Sequence, residues 1–234
     1  MITLNHSSAH AVINPDGAWL GELGVGSDQI LFPQTVLKNA SGEQKVRGGM
    51  HVCLPNFGPG GESGLAQHGF GRTSTWTVLQ QSESEASLGL NATEPGYAGL
   101  HAVLSYRLSS SSLTAELVLT NQGSTTMRAA PGFHPYFALE PSEKSVDVNG
   151  TLYRLDSLEG TEYIDAKSAV LTATNLRVTL TPKNLSTWAI WTDQLGPYVC
   201  VEPTFGGNRF LEPESPDEQL APDQTKTYSL RIEW

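Results

Sequence analysis

The stretch from Arg47 to Trp76 concentrates side chains that can bind a ligand and do chemistry. It holds Arg47, Arg72, His51 and His68 within a dense set of Gly and Pro. Gly and Pro impose special backbone angles, so a loop built on them can hold polar groups in defined positions. The guanidinium forks of Arg47 and Arg72 suit planar anions. Two further groups invite an acid–base reading. His134 sits in Gly-Phe-His-Pro-Tyr-Phe, where Pro135 predicts an edge or bulged strand, and bulges often aim side chains into sites. The same imidazole also reads as a satisfied core or surface residue. Glu202 closes the apolar run Pro197–Val201, with Tyr198, Cys200 and Glu202 on one face. It is either a strand end facing solvent or a buried functional carboxylate.

Other chemistries find less support. His51, His68, His101 and His134 are candidate metal ligands, but no His-x-His or Cys-x-x-Cys pair and no suitably spaced carboxylate accompanies them. No metal and no cofactor is expected. There is no Gly-x-Ser-x-Gly nucleophile elbow, although Ser63 and Ser74 lie near glycines. Neither a Gly-x-Gly-x-x-Gly nor a phosphate-loop lysine motif supports nucleotide binding.

The elements that must carry these residues are strands. Alternation with period two dominates, and few segments keep a helical period. Strands are predicted over Ala9–Asn14, Trp19–Val25, Ile30–Pro33, Thr35–Lys38, Thr75–Gln81 and Ala86–Asn91. More follow at Thr126–Ala130, Pro131–Leu139, around Val146, Tyr153 and Ile164, then at Leu176–Thr181, Thr187–Trp191, Tyr198–Glu202 and Thr225–Glu233. The clearest unit is a hairpin from Gly99 to Asn121. Leu100, Ala102, Leu104, Tyr106 and Leu108 share one face, as do Leu113, Ala115, Leu117 and Leu119. Many short strands imply an all-β sandwich. No composition break or repeat divides the chain, so one domain over 1–234 is expected.

The 234 residues carry a net charge of -10. That balance argues against nucleic acid or an anionic membrane surface as partner. The N-terminus shows no signal peptide and no apolar run is long enough to span a bilayer. Cys53 and Cys200 each lie between apolar β-formers and read as buried thiols in a reducing cytoplasm. Oligomeric state has no signature.

Five segments, in order, resemble the aldose 1-epimerase (galactose mutarotase-like) superfamily, and within it the hexose-6-phosphate mutarotases. Arg47-Gly48-Gly49 through Phe57-Gly58-Pro59 and Gln67-His68-Gly69-Phe70-Gly71-Arg72 look like the first motif block. Phe133–Phe137 looks like the block with that family's catalytic His. Gly160–Asp165 is similar to a Tyr-x-Asp element, Val199–Pro203 to the block ending in the catalytic Glu, and Leu220–Asp223 to the approach to the last strand. The resemblance implies a β-supersandwich and cofactor-independent interconversion of sugar anomers. It implies His134 as general acid and Glu202 as general base, on opposite sides of the sugar. Gln67, His68 and Arg72 would line the sugar, and Arg47 with Arg72 would account for a phosphate. The expected partner is therefore a small sugar or sugar phosphate. Two departures stand out. Leu54 and Asn56 replace the family's usual tryptophans, which puts stacking on the sugar in question. An acidic contact after the Tyr-x-Asp element is missing, unless Asp165 substitutes. The alternatives are a non-catalytic carbohydrate-binding sandwich and a cupin-like metal enzyme.

Overall fold

The computed structural model describes residues 1–234. Two antiparallel sheets of nine strands form its body, beside two short ribbons. In the first sheet the order is Ile2–His6, Ala9–Asn14, Trp19–Val25, Met50–Cys53, Gly132–Ala138, Tyr198–Thr204, Thr187–Trp191 and Glu162–Asp165, with Asp28–Gln29 paired to Trp19–Val25. In the second it is Thr151–Arg154, Ser145–Val148, Ala169–Ala173, Leu176–Lys183, Thr225–Glu233, Ser112–Asn121, Leu100–Leu108, Glu85–Asn91 and Thr77–Gln81. Helix is limited to single 3-10 turns. The all-β architecture expected from alternation is what forms.

The central hairpin shows why. Leu100–Leu108 pairs with Ser112–Asn121, and the leucines, alanines and Tyr106 of its apolar face are buried. Burying each such leucine contributes roughly 1.5–3 kcal/mol. Tyr228, Leu230 and Ile232 of the last strand extend that face. From the first sheet, Ile13, Leu20, Val52, Phe133, Val199 and Val201 join the same core. Alternation then sends the intervening residues of the first sheet to its other side. There Tyr136, Tyr198 and Cys200 form a small separate cluster, and Cys53, Phe57 and Ala189 another. The loop that follows Cys53 folds over this second face.

Several local expectations change. Ile30–Pro33 is not a strand; Leu31 makes one isolated bridge to Phe137. Ile30 and Leu31 both donate to the Leu23 carbonyl, which bends the segment off any ladder. Ile2–His6, Gln44–Arg47, Met50–Cys53 and Ala169–Ala173 are additional strands. Gly132–Ala138 is neither an edge strand nor shifted in register, despite Pro135. It lies between Met50–Cys53 and Tyr198–Thr204. The Tyr136 amide donates to Gly49, so the missing Pro135 donor falls on the opposite side, toward Tyr198–Thr204. The pairing on that side lapses between Gly132 and Tyr136 and then resumes in the same register. An interior strand tolerates the proline because only one ladder loses a bond.

Candidate active site

Strand register sets the floor of the site. Gly132 lies opposite Thr204 and Tyr136 opposite Cys200, which places His134 opposite Glu202. His134 pairs on its other side with His51, and Glu202 with Ala189. One row across four strands therefore reads His51, His134, Glu202, Ala189. The small Ala189 leaves the space above Glu202 open. His134 Nε2 stands 3.3 Å from Glu202 Oε2. Glu202 is 2% exposed and His134 5%, so Glu202 is not a solvent-facing strand end.

Burial governs the electrostatics here. It pushes Glu202 well above the ordinary carboxylate range. It pushes His134 well below the ordinary histidine range, and His51, His68, Arg72 and Arg47 act in the same direction. His51 is lowered by its own burial, reinforced by Arg72. Burial thus favours an uncharged carboxyl beside an uncharged imidazole. Glu202 Oε2, His134 Nδ1 and His51 Nε2 are buried without a hydrogen-bond partner. Unpartnered buried polar atoms are costly, and here they gather at one place. Tyr136 stacks on the His134 ring at 4.7 Å and fixes its plane.

Above this floor lies a cleft of about 490 Å³, a volume typical of small-molecule sites. Its wall is the loop after Cys53. Two glycines let it pack closely. A Cβ on Gly58 (φ 69°) would sit 2.0 Å from Asn208 Oδ1, and one on Gly69 (φ 65°) 2.1 Å from the Leu54 carbonyl. His68 adopts φ 64°, a backbone region non-glycine residues seldom occupy. The Gly58 amide donates to His68 Nδ1 at 3.2 Å, and the Cys53 thiol lies 3.3 Å from the same nitrogen. Burial, with help from Arg72 and Arg47, lowers the His68 pKa to about 3. The ring is therefore neutral and accepts at Nδ1, and its Nε2 lies 3.3 Å from the side-chain amide of Gln67.

Arg72 sits on the single turn Gly71–Thr73, and its Nη2 donates to the Gln67 carbonyl at 3.0 Å. Arg47 ends the ribbon strand Gln44–Arg47. Its Nε donates to Asp193 at 2.8 Å, Nη1 to Val46, and its guanidinium stands 5.6 Å from the Trp191 ring centre. Tyr198 also donates to Asp193. Burial opposes the Arg47 charge, but Asp193, together with Tyr136 and Tyr198, outweighs it and raises the pKa.

All six residues singled out from sequence, Arg47, Gln67, His68, Arg72, His134 and Glu202, border this one cleft. Of the four histidines considered as metal ligands, His51, His68 and His134 converge. His101 lies on the second sheet and meets Asn91. Leu54 and Asn56 do not face the cleft. Leu54 enters the core, and Asn56 donates to the Gly58 and Ala66 carbonyls. The aromatic surface comes instead from Phe57, Tyr136 and Trp191. Asp165 does not replace the missing acid; it accepts from Thr187 outside the cleft, while Tyr163 lines it. Sequence reasoning also passed over Lys45 and Asn208. Tyr136 was accessible through alternation, two residues after His134. Asn208 carried no signal, since it arrives from a distant loop and is held by the Tyr163 hydroxyl.

A family model described as aldose 1-epimerase matches residues 1–193. The chain belongs to that family. Two curated relatives bear the provisional name glucose-6-phosphate 1-epimerase. The one from Escherichia coli (strain K12) is 32% identical over 93 residues, covering 38% of this chain and 31% of the relative. The one from Salmonella typhimurium is 30% identical over 86 residues, covering 36% and 29%. The matched stretch thus spans less than a third of either relative. Among solved structures, a galactose mutarotase related enzyme from Lactobacillus acidophilus superposes with a TM-score of 0.80 at 17% identity, over 99% of this chain and 96% of that one. A galactose mutarotase-like protein from Lactobacillus casei gives 0.78 at 20%, over 100% and 99%. At such identities these likenesses establish the fold, a galactose mutarotase-like sandwich. No helix is long and apolar enough to cross a membrane.

Proposed function

We propose that this protein interconverts the α and β anomers of an aldohexose, and that the substrate is a hexose 6-phosphate. The observation that carries the reading is the 3.3 Å approach of His134 and Glu202 beneath a cleft bordered by two arginines. Family membership and the provisional names of the curated relatives support it.

The chemistry is proton transfer alone. Glu202 takes the proton of the anomeric hydroxyl while His134 Nε2–H protonates the ring oxygen. The bond from C1 to the ring oxygen breaks and C1 becomes an aldehyde. Rotation about C1–C2 presents the other face. On closure His134 recovers its proton from the forming ring oxygen, and Glu202 returns its own to the new anomeric oxygen. Acid and base stand side by side on one sheet face, not across the sugar as the sequence reading had it. That arrangement still serves, because both reacting oxygens are bonded to C1 and lie close together. Burial favours the protonated form of Glu202. A sugar hydroxyl donating to the carboxylate favours its ionised form and so favours the imidazolium that acts as acid. Arg72, with one nitrogen committed to Gln67, and Arg47 supply donors to a phosphate.

Saturation-transfer NMR between the two anomeric protons of glucose 6-phosphate tests this. Wild type should accelerate exchange on the phosphate ester more than on glucose. Glu202→Gln keeps the shape but cannot take the proton, so catalysed exchange should vanish while binding changes by less than about tenfold. A folded Glu202→Gln variant exchanging at the wild-type rate would exclude the mechanism. A wild type that binds sugar without speeding exchange would replace it with the binding-module reading.

A further inference from the structure

We propose that His134, Cys200 and Glu202 form a binding site for a divalent cation of the zinc class. The imidazole nitrogen, thiol sulfur and carboxylate oxygen of these buried residues all lie within 4.8 Å of one another. The sheet builds this grouping twice over. Cys200 and Glu202 are two residues apart on one strand and share its face, and His134 is opposite Glu202 on the next. A mixed nitrogen, sulfur and oxygen set suits zinc and matches neither calcium nor magnesium, which take oxygen alone. Zinc bonds of about 2.0–2.3 Å in a tetrahedron place ligand atoms roughly 3.5 Å apart. The His134–Glu202 separation of 3.3 Å already fits, and Cys200 Sγ has to close by on the order of 1 Å, within reach of a side-chain rotation.

An independent observation points to a ligand here. Glu202 Oε2 is buried and has no hydrogen-bond partner. The nearby alternative, Cys53 with His51 and His68, is already spent: His68 Nδ1 accepts from the Gly58 amide and faces the Cys53 thiol. When a cation binds, the thiol and carboxyl protons leave to solvent. Thiolate and carboxylate then balance the two positive charges, so Arg47 and Arg72 face a neutral centre. The fourth position opens to the cleft, since His134 and Glu202 both line it. Cys200 has no part in anomer exchange, and this site does not rest on that reading. If exchange occurs, the bound cation removes acid and base together, so occupancy and catalysis exclude each other.

The test uses the full chain freed of metal with a chelator. Calorimetry with zinc chloride should give one equivalent bound. Cobalt(II) chloride should produce a near-ultraviolet thiolate-to-cobalt charge-transfer band. Cys200→Ser should abolish the band. Changes to outer partners alone typically cost 10- to 100-fold in metal affinity, so loss of this ligand should weaken zinc at least about tenfold. Cys53→Ser should retain both signals. No stoichiometric binding, cobalt bound without a thiolate band in folded wild type, or a band lost with Cys53→Ser and kept in Cys200→Ser would each overturn the proposal. If a variant folds poorly, the absence of a thiolate band from folded wild type still overturns the proposal. None of these readouts measures anomer exchange, so the two readings fail separately.

Discussion

Arg47 and Arg72 border the same cleft but are held differently. Arg47 is tied to Asp193, itself contacted by Tyr198, while Arg72 has a single backbone acceptor. Arg72 is therefore the freer phosphate ligand. A hydrogen bond to a charged group is worth about 1.5–3 kcal/mol, which converts to roughly 10- to 100-fold in affinity. Arg72→Ala should weaken glucose 6-phosphate binding by that factor and leave glucose nearly untouched. Arg72→Lys should recover only part, because a point charge cannot reproduce the fork. Calorimetry with both sugars checks this. An equal loss for the free sugar would assign Arg72 to holding the loop through Gln67 instead of to the phosphate.

The loop after Cys53 is the element that turns a sheet face into a cleft, and its glycines separate two kinds of constraint. Gly64 and Gly69 both have positive φ, at 72° and 65°. A side chain on Gly64 meets nothing within 4 Å, whereas one on Gly69 meets the Leu54 carbonyl at 2.1 Å. Gly64→Ala should cost only the left-handed penalty of about 1–2 kcal/mol. Gly69→Ala should cost clearly more and also weaken ligand binding, since the loop has to back away from Leu54 and carries His68 with it. Chemical denaturation with parallel sugar titration reads both effects. Equal destabilisation by the two substitutions would mean that the loop shifts freely and does not hold His68.

Across the whole molecule, Glu218 fastens the acidic Pro-rich segment to the body. It is fully buried and accepts from Arg128 Nε at 2.5 Å, Arg209 Nε at 3.0 Å and Ser215 at 2.7 Å. Arg128 also donates to the Arg209 and Glu212 carbonyls. Burial alone would raise the Glu218 pKa, but Ser215, Arg128 and Arg209 together outweigh it and hold the group below its usual value. A carboxyl depressed in the folded state adds stability that is present above its unfolded pKa, about 4.3, and is lost as pH falls through the folded value. Wild type should therefore lose stability on acidification below about pH 4.3, and Glu218→Gln should show a shallower loss there. At neutral pH that substitution leaves Arg128 without its carboxylate, while Arg209 keeps Glu212 and Asp217, and should cost up to about 3–5 kcal/mol. Denaturation midpoints from pH 7 to pH 3 measure both, and an unchanged acid slope would remove Glu218 from the account.

Sequence by itself determined what local periodicity can carry. Alternation marked the hairpin from Gly99 to Asn121, the last strand over Thr225–Glu233, and the common face of Tyr198, Cys200 and Glu202. A period of two needs only neighbouring residues, so it is legible without the fold. The clustering of Gly, Arg and His in the stretch from Arg47 to Trp76 likewise marked a binding site, and its two arginines and two histidines line the cleft or its floor. Tertiary structure alone decided which strands are neighbours and in what register. That choice set His134 against Glu202, made the proline strand interior, and brought Cys200 into reach of both. It also sent Leu54 to the core, put Trp191 in the cleft and delivered Asn208 from a remote loop. Register between distant strands is fixed by summed packing over both sheets, a quantity no short stretch of sequence contains.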